Sequence, residues 1–268
     1  MVAAEIRDFA KARPCLEVVA RPKLSLIIPA YNEEARLGRT LDEVWTYLTA
    51  QSYTFEVIVS DDGSSDSTLT IANAFAVDRE GIRVVSIPHA GKAAAIRAGM
   101  QAASGEVVAF TDADLATPIS YLEDFLAAIA NGADVVIGSR EGATATRVGE
   151  PHYRHLMGRV FNRLVQVAIL PGIDDTQCGF KAFTRFSASE LNRRARLYTE
   201  QEEVSGARVT AFDVEMLVIA RNLNMQIVEV PVIWTYGEQS KVNPVSDTLN
   251  NLADIAKVKM NALRGRYD

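Results

Sequence analysis

Asp112 and Asp114, separated by one alanine, are the residues of this sequence whose type and spacing most directly suggest chemistry. Two carboxylates this close repel each other unless a cation or a basic side chain lies between them. Carboxylate oxygens favour Mg²⁺ or Mn²⁺, and Mg²⁺ is commonly held by one or two carboxylates together with phosphate oxygens. The pair therefore predicts a divalent-metal site, with a helix-capping aspartate as the structural alternative.

A second acidic motif, D-D-G-S-S-D at residues 61–66, admits two interpretations. Taken alone, it is typical of a turn that leads into a helix cap. The functional alternative is that one aspartate accepts hydrogen bonds from a nucleobase N–H and from ribose hydroxyls. The sequence contains neither G-x-G-x-x-G after its first predicted strand nor G-x-x-x-x-G-K-[ST] anywhere. Dinucleotide-dependent oxidoreductases and P-loop nucleotidases are therefore disfavoured.

Short apolar runs alternate with helical patterns over the first half of the chain. Strands are predicted at 24–28 (closed by Pro29), 55–59, 82–87, 106–110 and 133–137. Helices are predicted at 33–48, from Ser64 or Ser65 through Phe75, at 93–103 and at 119–130. Alternation with short connections predicts βαβ units, and hence an α/β fold whose mainly parallel sheet carries helices on both faces.

Ligands of open parallel sheets bind at the carboxyl ends of the strands. The segments that follow the five predicted strands are P-A-Y-N-E-E at 29–34, D-D-G-S at 61–64, P-H-A-G-K at 88–92, T-D-A-D at 111–114 and G-S-R at 138–140. All five supply polar groups or glycines, including Lys92 and Arg140. The sequence therefore predicts one polar site at this edge of the sheet.

The pattern changes after Arg140. Residues 141–153 are predicted to form a mobile polar loop, followed by a helix at 153–170, a strand at 180–184, a helix at 212–222, a strand at 226–234 and a helix at 245–264. Pro231 interrupts the last predicted strand, which is typical of a sheet edge. We interpret residues 1–22 as an N-terminal leader and 23–268 as a single domain.

Composition limits the classes of function. Of 268 residues, 48% are hydrophobic and 23% charged, which is typical of a globular protein. The net charge of −6 disfavours a nucleic-acid partner. Cys15 and Cys178 are too far apart for a disulfide framework or a thiolate zinc site. No apolar run reaches the roughly 18 residues of a membrane span and no signal peptide is predicted, so we expect a cytoplasmic protein.

In order and spacing, these motifs resemble those of the family 2 glycosyltransferases of the GT-A fold, over about residues 23–263. Later motifs are D-T-Q-C-G-F-K-A-F at 175–183, F-D-V-E at 212–215 and Ser240-Lys241. They resemble the dolichyl-phosphate β-glucosyltransferases and, more loosely, other polyprenyl-phosphate glycosyltransferases. The resemblance implies a Rossmann-like GT-A sheet, with a nucleotide-sugar-binding half at 23–140 and an acceptor-binding half at 141–268.

The resemblance further implies inverting, metal-dependent transfer of a hexose, with glucose favoured, from UDP-glucose to a polyprenyl or dolichyl phosphate. Tyr31 would stack on the base, Asp62 would contact uracil and Arg140 would hold the diphosphate. The implied nucleotide-sugar-binding residues are Pro29, Tyr31, Glu33, Asp61, Asp62, Lys92, Asp112, Ala113, Asp114 and Arg140. The implied metal ligands for Mg²⁺ or Mn²⁺ are Asp112 and Asp114.

The implied acceptor and phosphate residues are Arg154, Gln177, Lys181, Ser240 and Lys241, and the implied catalytic residues are Asp114, Asp213, Arg140 and Lys241. Asp213 is the best candidate for a protein base, and Glu215 lies in the same motif. A phosphate acceptor is already an oxyanion at pH 7, so the need for a protein base stays open. Metal and cations would then stabilise the departing UDP. The three histidines, His89, His152 and His155, lack metal-ligand spacing and are assigned no ligand role.

Two basic segments bear on the acceptor. Residues 146–170 contain four arginines and one acid, and residues 241–268 contain five cations and three acids, each with apolar residues at helical spacing. Together they favour peripheral contact with an anionic membrane surface, on its inner face. The alternative is that both apolar faces pack on the sheet. Two other functions stay open: transfer to a soluble acceptor, such as a phosphorylated small molecule or a natural-product hydroxyl, and a non-catalytic nucleotide-sugar-binding protein.

Overall fold

The computed structural model describes residues 21–198, 211–237 and 244–268. The strands are β1 (Leu24–Ala30), β2 (Phe55–Asp61), β3 (Ile82–Ser86), β4 (Val107–Phe110), β5 (Val135–Ser139), β6 (Thr146–Val148), β7 (Lys181–Thr184), β8 (Ile227–Pro231) and β9 (Ile233–Thr235). The helices are α1 (Leu37–Thr49), α2 (Thr68–Ala76), α3 (Lys92–Ala102), α4 (Leu122–Ala130), α5 (His152–Ala168), α6 (Arg185–Arg194), α7 (Phe212–Asn222) and α8 (Pro244–Leu263). A 3₁₀ turn at Ile119–Tyr121 precedes α4.

Seven strands form one mixed sheet in the order β3-β2-β1-β4-β7-β5-β8. Neighbouring strands are parallel except at β7, which is antiparallel to both β4 and β5. The prediction of a mainly parallel α/β sheet is confirmed, as is the edge position of β8. A second sheet pairs β6 with β9 in parallel.

The central strands are apolar on both faces because helices cover both faces. All residues of β1, β4 and β5 are buried. Ile27, Ile58 and Phe110 pack in one core with α3, α6 and α7, whereas Leu26 and Val57 pack in another with α1, α2 and α4. Each fully buried aliphatic side chain contributes about 1.5–3 kcal/mol, so the two cores hold the strand ends in fixed positions.

Several element boundaries differ from the prediction. Pro29 lies inside β1 rather than closing it, and α1 begins at Leu37 rather than at residue 33. Asn32 in the intervening turn has a φ of 52°, which a helix does not allow. The predicted loop at 141–153 contains β6, and the predicted strand at 226–234 is two strands in two different sheets. Helix α6 was not predicted at all.

Helices α5 and α8 correspond to the two predicted basic helices. In α8, Ile255 and Val258 are buried, while Leu263 is 80% exposed. No helix among the described residues is long and apolar enough to cross a membrane. The leader assigned to residues 1–22 falls almost entirely outside the described residues.

Candidate active site

The polar segments meet at one edge of the sheet because of strand direction. Strands β1, β2, β4 and β5 end at that edge, and the antiparallel β7 begins there. Phe110 of β4 and Ile137 of β5 are both paired with Lys181 of β7. The D-A-D motif, the G-S-R motif and the residues that precede β7 are therefore brought together from three parts of the chain.

The segments after β1 and β2 bind each other through a set of backbone-to-side-chain hydrogen bonds. The Asn32 N–H donates to Ser64 Oγ at 3.0 Å, and the Glu33 N–H donates to Thr68 Oγ1 at 2.7 Å. The Ser65 N–H donates in return to Asn32 Oδ1 at 2.9 Å. These bonds fix the turn that carries Tyr31. The Glu33 carboxylate forms an ion pair with Arg36 Nε at 2.8 Å.

Asp61 and Asp62 are both buried and both accept hydrogen bonds from their own chain. The Ser86 hydroxyl donates to Asp61 Oδ2 at 3.0 Å. Asp62 accepts the N–H groups of Ala90 at 2.8 Å and of Gly91 at 2.9 Å. These carboxylates therefore shape the turn and the loop before α3, and their contacts with a base and ribose stay predictions.

Tyr31 and His89 form the aromatic part of the site. Their rings are stacked with centroids 4.0 Å apart and planes 8° apart. His89 Nδ1 lies 2.8 Å from Asp62 Oδ2. Sequence reasoning missed this histidine, although its place in the P-H-A-G-K segment after β3 was a usable signal.

Around the D-A-D motif, the negative charges outweigh the positive ones. Lys92, at the start of α3, pairs with Asp112. The Asp114 residue as a whole is exposed, yet desolvation of its carboxylate and the charge of Asp112 raise its pKa. The Ala116 N–H, Lys92 and Arg36 act in the opposite direction and only partly offset this rise. Burial alone would lower the pKa of Lys92, but Asp112 and Asp213 outweigh burial and raise it. An added cation would relieve this imbalance.

The surroundings of Asp112 and Asp114 fit a divalent cation whose ligand set is completed from outside the protein. A Cβ atom on Gly179 would collide with the Asp112 carboxylate, so the absence of a side chain at Gly179 makes room for that carboxylate. Within the described ranges, no group of three or more His, Cys, Asp and Glu side chains could hold a metal alone. Two carboxylates and substrate oxygens form the usual ligand set for Mg²⁺. Ala113, between the two aspartates, is buried, and its carbonyl accepts a hydrogen bond from the Thr40 hydroxyl at 2.6 Å.

Arg140 forms a bidentate ion pair with Asp175, which is fully buried. Arg140 Nε lies 2.6 Å from Asp175 Oδ2 and Nη2 lies 2.9 Å from Oδ1. Burial alone would raise the pKa of Asp175, but Arg140 outweighs burial and holds that pKa well below its usual range. The Arg140 guanidinium also lies over the Trp234 ring, 5.3 Å from its centroid. The predicted diphosphate contact of Arg140 stays a prediction, since Asp175 already occupies one edge of the guanidinium.

The two acids of the F-D-V-E motif lie in different environments. Asp213 Oδ1 lies 2.7 Å from Nζ of Lys181, a fully buried lysine that also donates to the Cys178 carbonyl at 2.6 Å. Glu215 is fully buried and accepts the Leu197 N–H at 3.1 Å and the Tyr267 hydroxyl at 2.7 Å. Of the two acids, Asp213 is the one whose charge acts on Lys92.

The remaining predicted residues are placed as follows. Pro29 is buried in β1, and Gln177 is half-buried with its N–H donating to Asp175 Oδ1 at 3.1 Å. Ser240, Lys241 and the side chain of Arg154 lie outside the described part of the chain.

Beside the Arg140–Asp175 pair, a cleft of about 600 Å³ is lined by Glu141, Gly142, Arg159, Val160, Asn162, Arg163, Gln166 and Asp174.

Comparisons with known proteins show the family of this chain. Residues 25–191 match the family model described as Glycosyl transferase family 2. The chain is 36% identical to a dolichyl-phosphate beta-glucosyltransferase of Drosophila melanogaster, over 95% of this chain and 79% of that protein. It is 34% identical to the Homo sapiens protein of the same name, over 91% of this chain and 77% of that one.

Solved structures share the fold at lower identity. Glucosyl-3-phosphoglycerate synthase from Mycobacterium tuberculosis, with Mn²⁺, UDP and glucosyl-3-phosphoglycerate, has a TM-score of 0.59 and 20% identity, covering 91% of this chain and 80% of that chain. The same enzyme with Mn²⁺, UDP-glucose and phosphoglyceric acid also gives 0.59 and 20%, over 92% and 80%. Because the family model matches more than half of the chain and the relatives align along most of it, this protein belongs to glycosyl transferase family 2 and is a glycosyltransferase of the GT-A fold.

Proposed function

We propose that this enzyme transfers glucose from UDP-glucose to a polyprenyl phosphate, with inversion, in a reaction that depends on Mg²⁺ or Mn²⁺. The observation that carries the proposal is the acidic pair Asp112 and Asp114, which lies beside Lys92 and has an excess of negative charge. The names of the relatives support the donor sugar and the lipid phosphate. The fold neighbours that hold Mn²⁺ with UDP-glucose support the metal and the nucleotide.

In this proposal, the first half of the chain binds the donor. Tyr31 offers a ring face for the base, and Asp61 and Asp62 offer carboxylates to the base and ribose. Asp112 and Asp114 would hold the cation, which when bound stabilises the negative charge of the departing diphosphate. Lys92 would add a second positive charge next to the same phosphates.

The second half would bind the acceptor. A lipid phosphate is an anion at neutral pH, so it can attack the anomeric carbon without losing a proton. Asp213 Oδ1 lies 2.7 Å from the Lys181 ammonium, and the charge of Asp213 also acts on Lys92. We therefore assign Asp213 the task of positioning Lys181 and balancing Lys92. Arg154, Gln177, Ser240 and Lys241 remain the candidates for phosphate contacts.

A membrane contact would bring the site to the lipid phosphate. Helix α5 has two exposed arginines, Arg159 and Arg163, and its Tyr153, Val160 and Val167 are 59%, 53% and 77% exposed. Each basic residue near an anionic surface contributes about 1 kcal/mol. We infer that this face lies on an anionic membrane surface.

The function is tested by measuring UDP release from UDP-glucose with Mn²⁺ and undecaprenyl phosphate. We expect release to require both the cation and the lipid phosphate, and a thermal-shift screen to rank UDP-glucose above GDP- and TDP-sugars. Release with a soluble phosphorylated acceptor and none with the lipid would favour the soluble-acceptor function. Binding of UDP-glucose without transfer to either acceptor would indicate a nucleotide-sugar-binding protein.

The membrane contact is tested with the double variant R159E/R163E. Removing two positive charges and adding two negative ones should abolish salt-sensitive binding to anionic liposomes and transfer to undecaprenyl phosphate, while slow hydrolysis of UDP-glucose persists. The control R21E/R39E makes the same charge change at two exposed sites outside α5 and should bind liposomes normally. Normal lipid transfer by R159E/R163E would contradict the contact.

A further inference from the structure

His89 makes the two contacts that the proposed function assigns to the nucleobase of the donor. Its imidazole stacks on Tyr31 with centroids 4.0 Å apart and planes 8° apart. Its Nδ1 lies 2.8 Å from Asp62 Oδ2. An ionised carboxylate only accepts, so Nδ1 carries the hydrogen and donates it to Asp62. A flat ring with an N–H at its edge is also how uracil would meet the same two side chains.

The Asp62 carboxylate cannot bind the His89 imidazole and a nucleobase at the same time. It is 2% exposed and already accepts the N–H groups of Ala90 and Gly91. His89 supplies the remaining donor. A base that stacked on the same face of Tyr31 and donated to the same oxygen would have to take the place of the imidazole.

Two features make the imidazole a replaceable occupant. His89 Nε2 is buried and has no hydrogen-bond partner among the described residues, so this placement leaves a polar atom unsatisfied. The backbone, by contrast, is fixed: Gly63 has a φ of 67°, and a Cβ atom there would lie 2.7 Å from the His89 backbone nitrogen. Rotation of the side chain can therefore vacate the place while the bonds of Ala90 and Gly91 to Asp62 persist.

We propose that His89 is an internal occupant of the base subsite and that the donor nucleotide displaces it. The proposal rests on the proposed function, since that function assigns Tyr31 and Asp62 to the base. Only molecules with the imidazole turned out can bind the base, so apparent donor affinity is reduced by the fraction of such molecules. His89 thereby sets the donor concentration at which the enzyme is filled.

Calorimetric titration with UDP in the presence of Mn²⁺ tests the displacement. We expect His89→Ala to bind UDP roughly five- to tenfold more tightly than the unchanged protein, because no side chain has to leave. His155→Ala, on α5, removes a histidine elsewhere and should leave the affinity unchanged. Equal or weaker UDP binding by His89→Ala would overturn the proposal and would make His89 a wall of the base subsite.

Proton NMR of the histidine rings gives a second test, whose decisive comparison is the unchanged protein with and without UDP. The chain has three histidines, and the signal missing from His89→Ala identifies His89. Stacking on Tyr31 should shift that signal upfield, Tyr31→Leu should remove the shift, and saturating UDP should remove it in the unchanged protein. An upfield shift that survives UDP, or one that is absent without nucleotide, overturns the proposal.

The two hypotheses fail in different ways. Tighter UDP binding by His89→Ala together with no transfer to any acceptor would refute the proposed function and support the role of His89. Transfer to the lipid phosphate together with unchanged UDP affinity of His89→Ala would do the reverse. If neither the unchanged protein nor His89→Ala binds UDP, GDP or TDP, both are refuted.

Discussion

Two clusters of carboxylate and cation lie at the same edge of the sheet and differ in exposure and in charge balance. Lys92 and Asp112 have side chains that are 44% and 35% exposed, and Asp114 adds a second negative charge. The side chains of Arg140 and Asp175 are 17% and 0% exposed, and their two charges cancel. The first cluster is accessible and unbalanced, and the second is enclosed and neutral.

The difference indicates what each cluster can do. A buried pair whose charges cancel has little left to offer a substrate, and its geometry holds together the loops after β5 and before β7. An exposed cluster with a surplus carboxylate still attracts a cation. We therefore expect losses of stability from the Arg140–Asp175 pair and losses of activity from the Asp112–Asp114 pair.

The largest effect is expected for Asp175→Ala. Removing one partner of a buried ion pair leaves the other charge uncompensated, which costs about 3–5 kcal/mol. For a chain of this size we expect the melting temperature to fall by about 6–20 °C. The neighbouring exposed residue provides the control, Asp174→Ala, which should change the melting temperature little. A variant lacking Asp175 that melts like the unchanged protein would break the comparison.

A double variant, Arg140→Met with Asp175→Leu, sharpens the same comparison. Replacing a buried pair by apolar side chains is often neutral for stability. Because the N–H groups of Arg140 and Gln177 also lose their acceptor, the double variant should melt below the unchanged protein but above Asp175→Ala. Its transferase rate then isolates the predicted diphosphate contact of Arg140. Full activity in a stable double variant would assign Arg140 to structure alone.

Asp114→Asn should act in the opposite manner, with a large loss of activity and almost none of stability. Removing the charge of a metal ligand forfeits several kcal/mol of transition-state stabilisation, about 100- to 1,000-fold in rate. Glu106→Gln neutralises an exposed acid just before β4, at the far end of the strand, and serves as the control. An Asp114→Asn enzyme that still responds to Mn²⁺ would refute the metal assignment.

Tyr267→Phe extends the comparison to the two acids of α7. It removes the hydroxyl that donates to the buried Glu215, which should cost about 1–3 kcal/mol of stability. Because Glu215 contacts the Leu197 backbone rather than the Lys92 cluster, the rate per folded molecule should not change. A fall in that rate without a fall in stability would place Glu215 in the catalytic machinery.

The smallest effect concerns pH in the absence of metal. The raised pKa of Asp114 means that the folded state binds its proton more tightly than the unfolded state. The stability contribution of Asp114 therefore falls as pH rises from the usual aspartate pKa through the raised value. Solvent screening of this exposed residue keeps the effect small. With EDTA, Asp114→Asn should melt slightly above the unchanged protein at pH 7, and the difference should vanish in acid.

The sequence carried enough information for the parallel half of the fold and little for the rest. The strands from β1 to β5 are predictable because each is an apolar run between turn residues. Helix α6 was missed because its sequence, R-F-S-A-S-E-L-N-R-R, buries only Ser187, Ala188 and Leu191. The antiparallel direction of β7 has no local signature, since its four residues, K-A-F-T, can pair in either direction.

The same limit applies to the site. The residues that follow the strands were predictable, because strand direction alone places them at one edge. Their partners were not: Asp175 is 35 positions from Arg140, and His89 is 27 from Asp62. Pairings at such separations depend on which strands become neighbours, and β7 decides that for Arg140.

The antiparallel insertion of β7 also has a consequence for how the chain is made. Strand β4 lies in the middle of the sheet, and its second neighbour is β7. Roughly 70 residues separate Phe110 from Lys181, which at about 5–20 residues per second is roughly 4–14 s of synthesis. Throughout that interval the nascent chain has an apolar strand with one unpaired edge, the kind of edge that promotes aggregation. A fragment that ends before Lys181 would keep that edge permanently, so the first half of the chain depends on the later half to cover it.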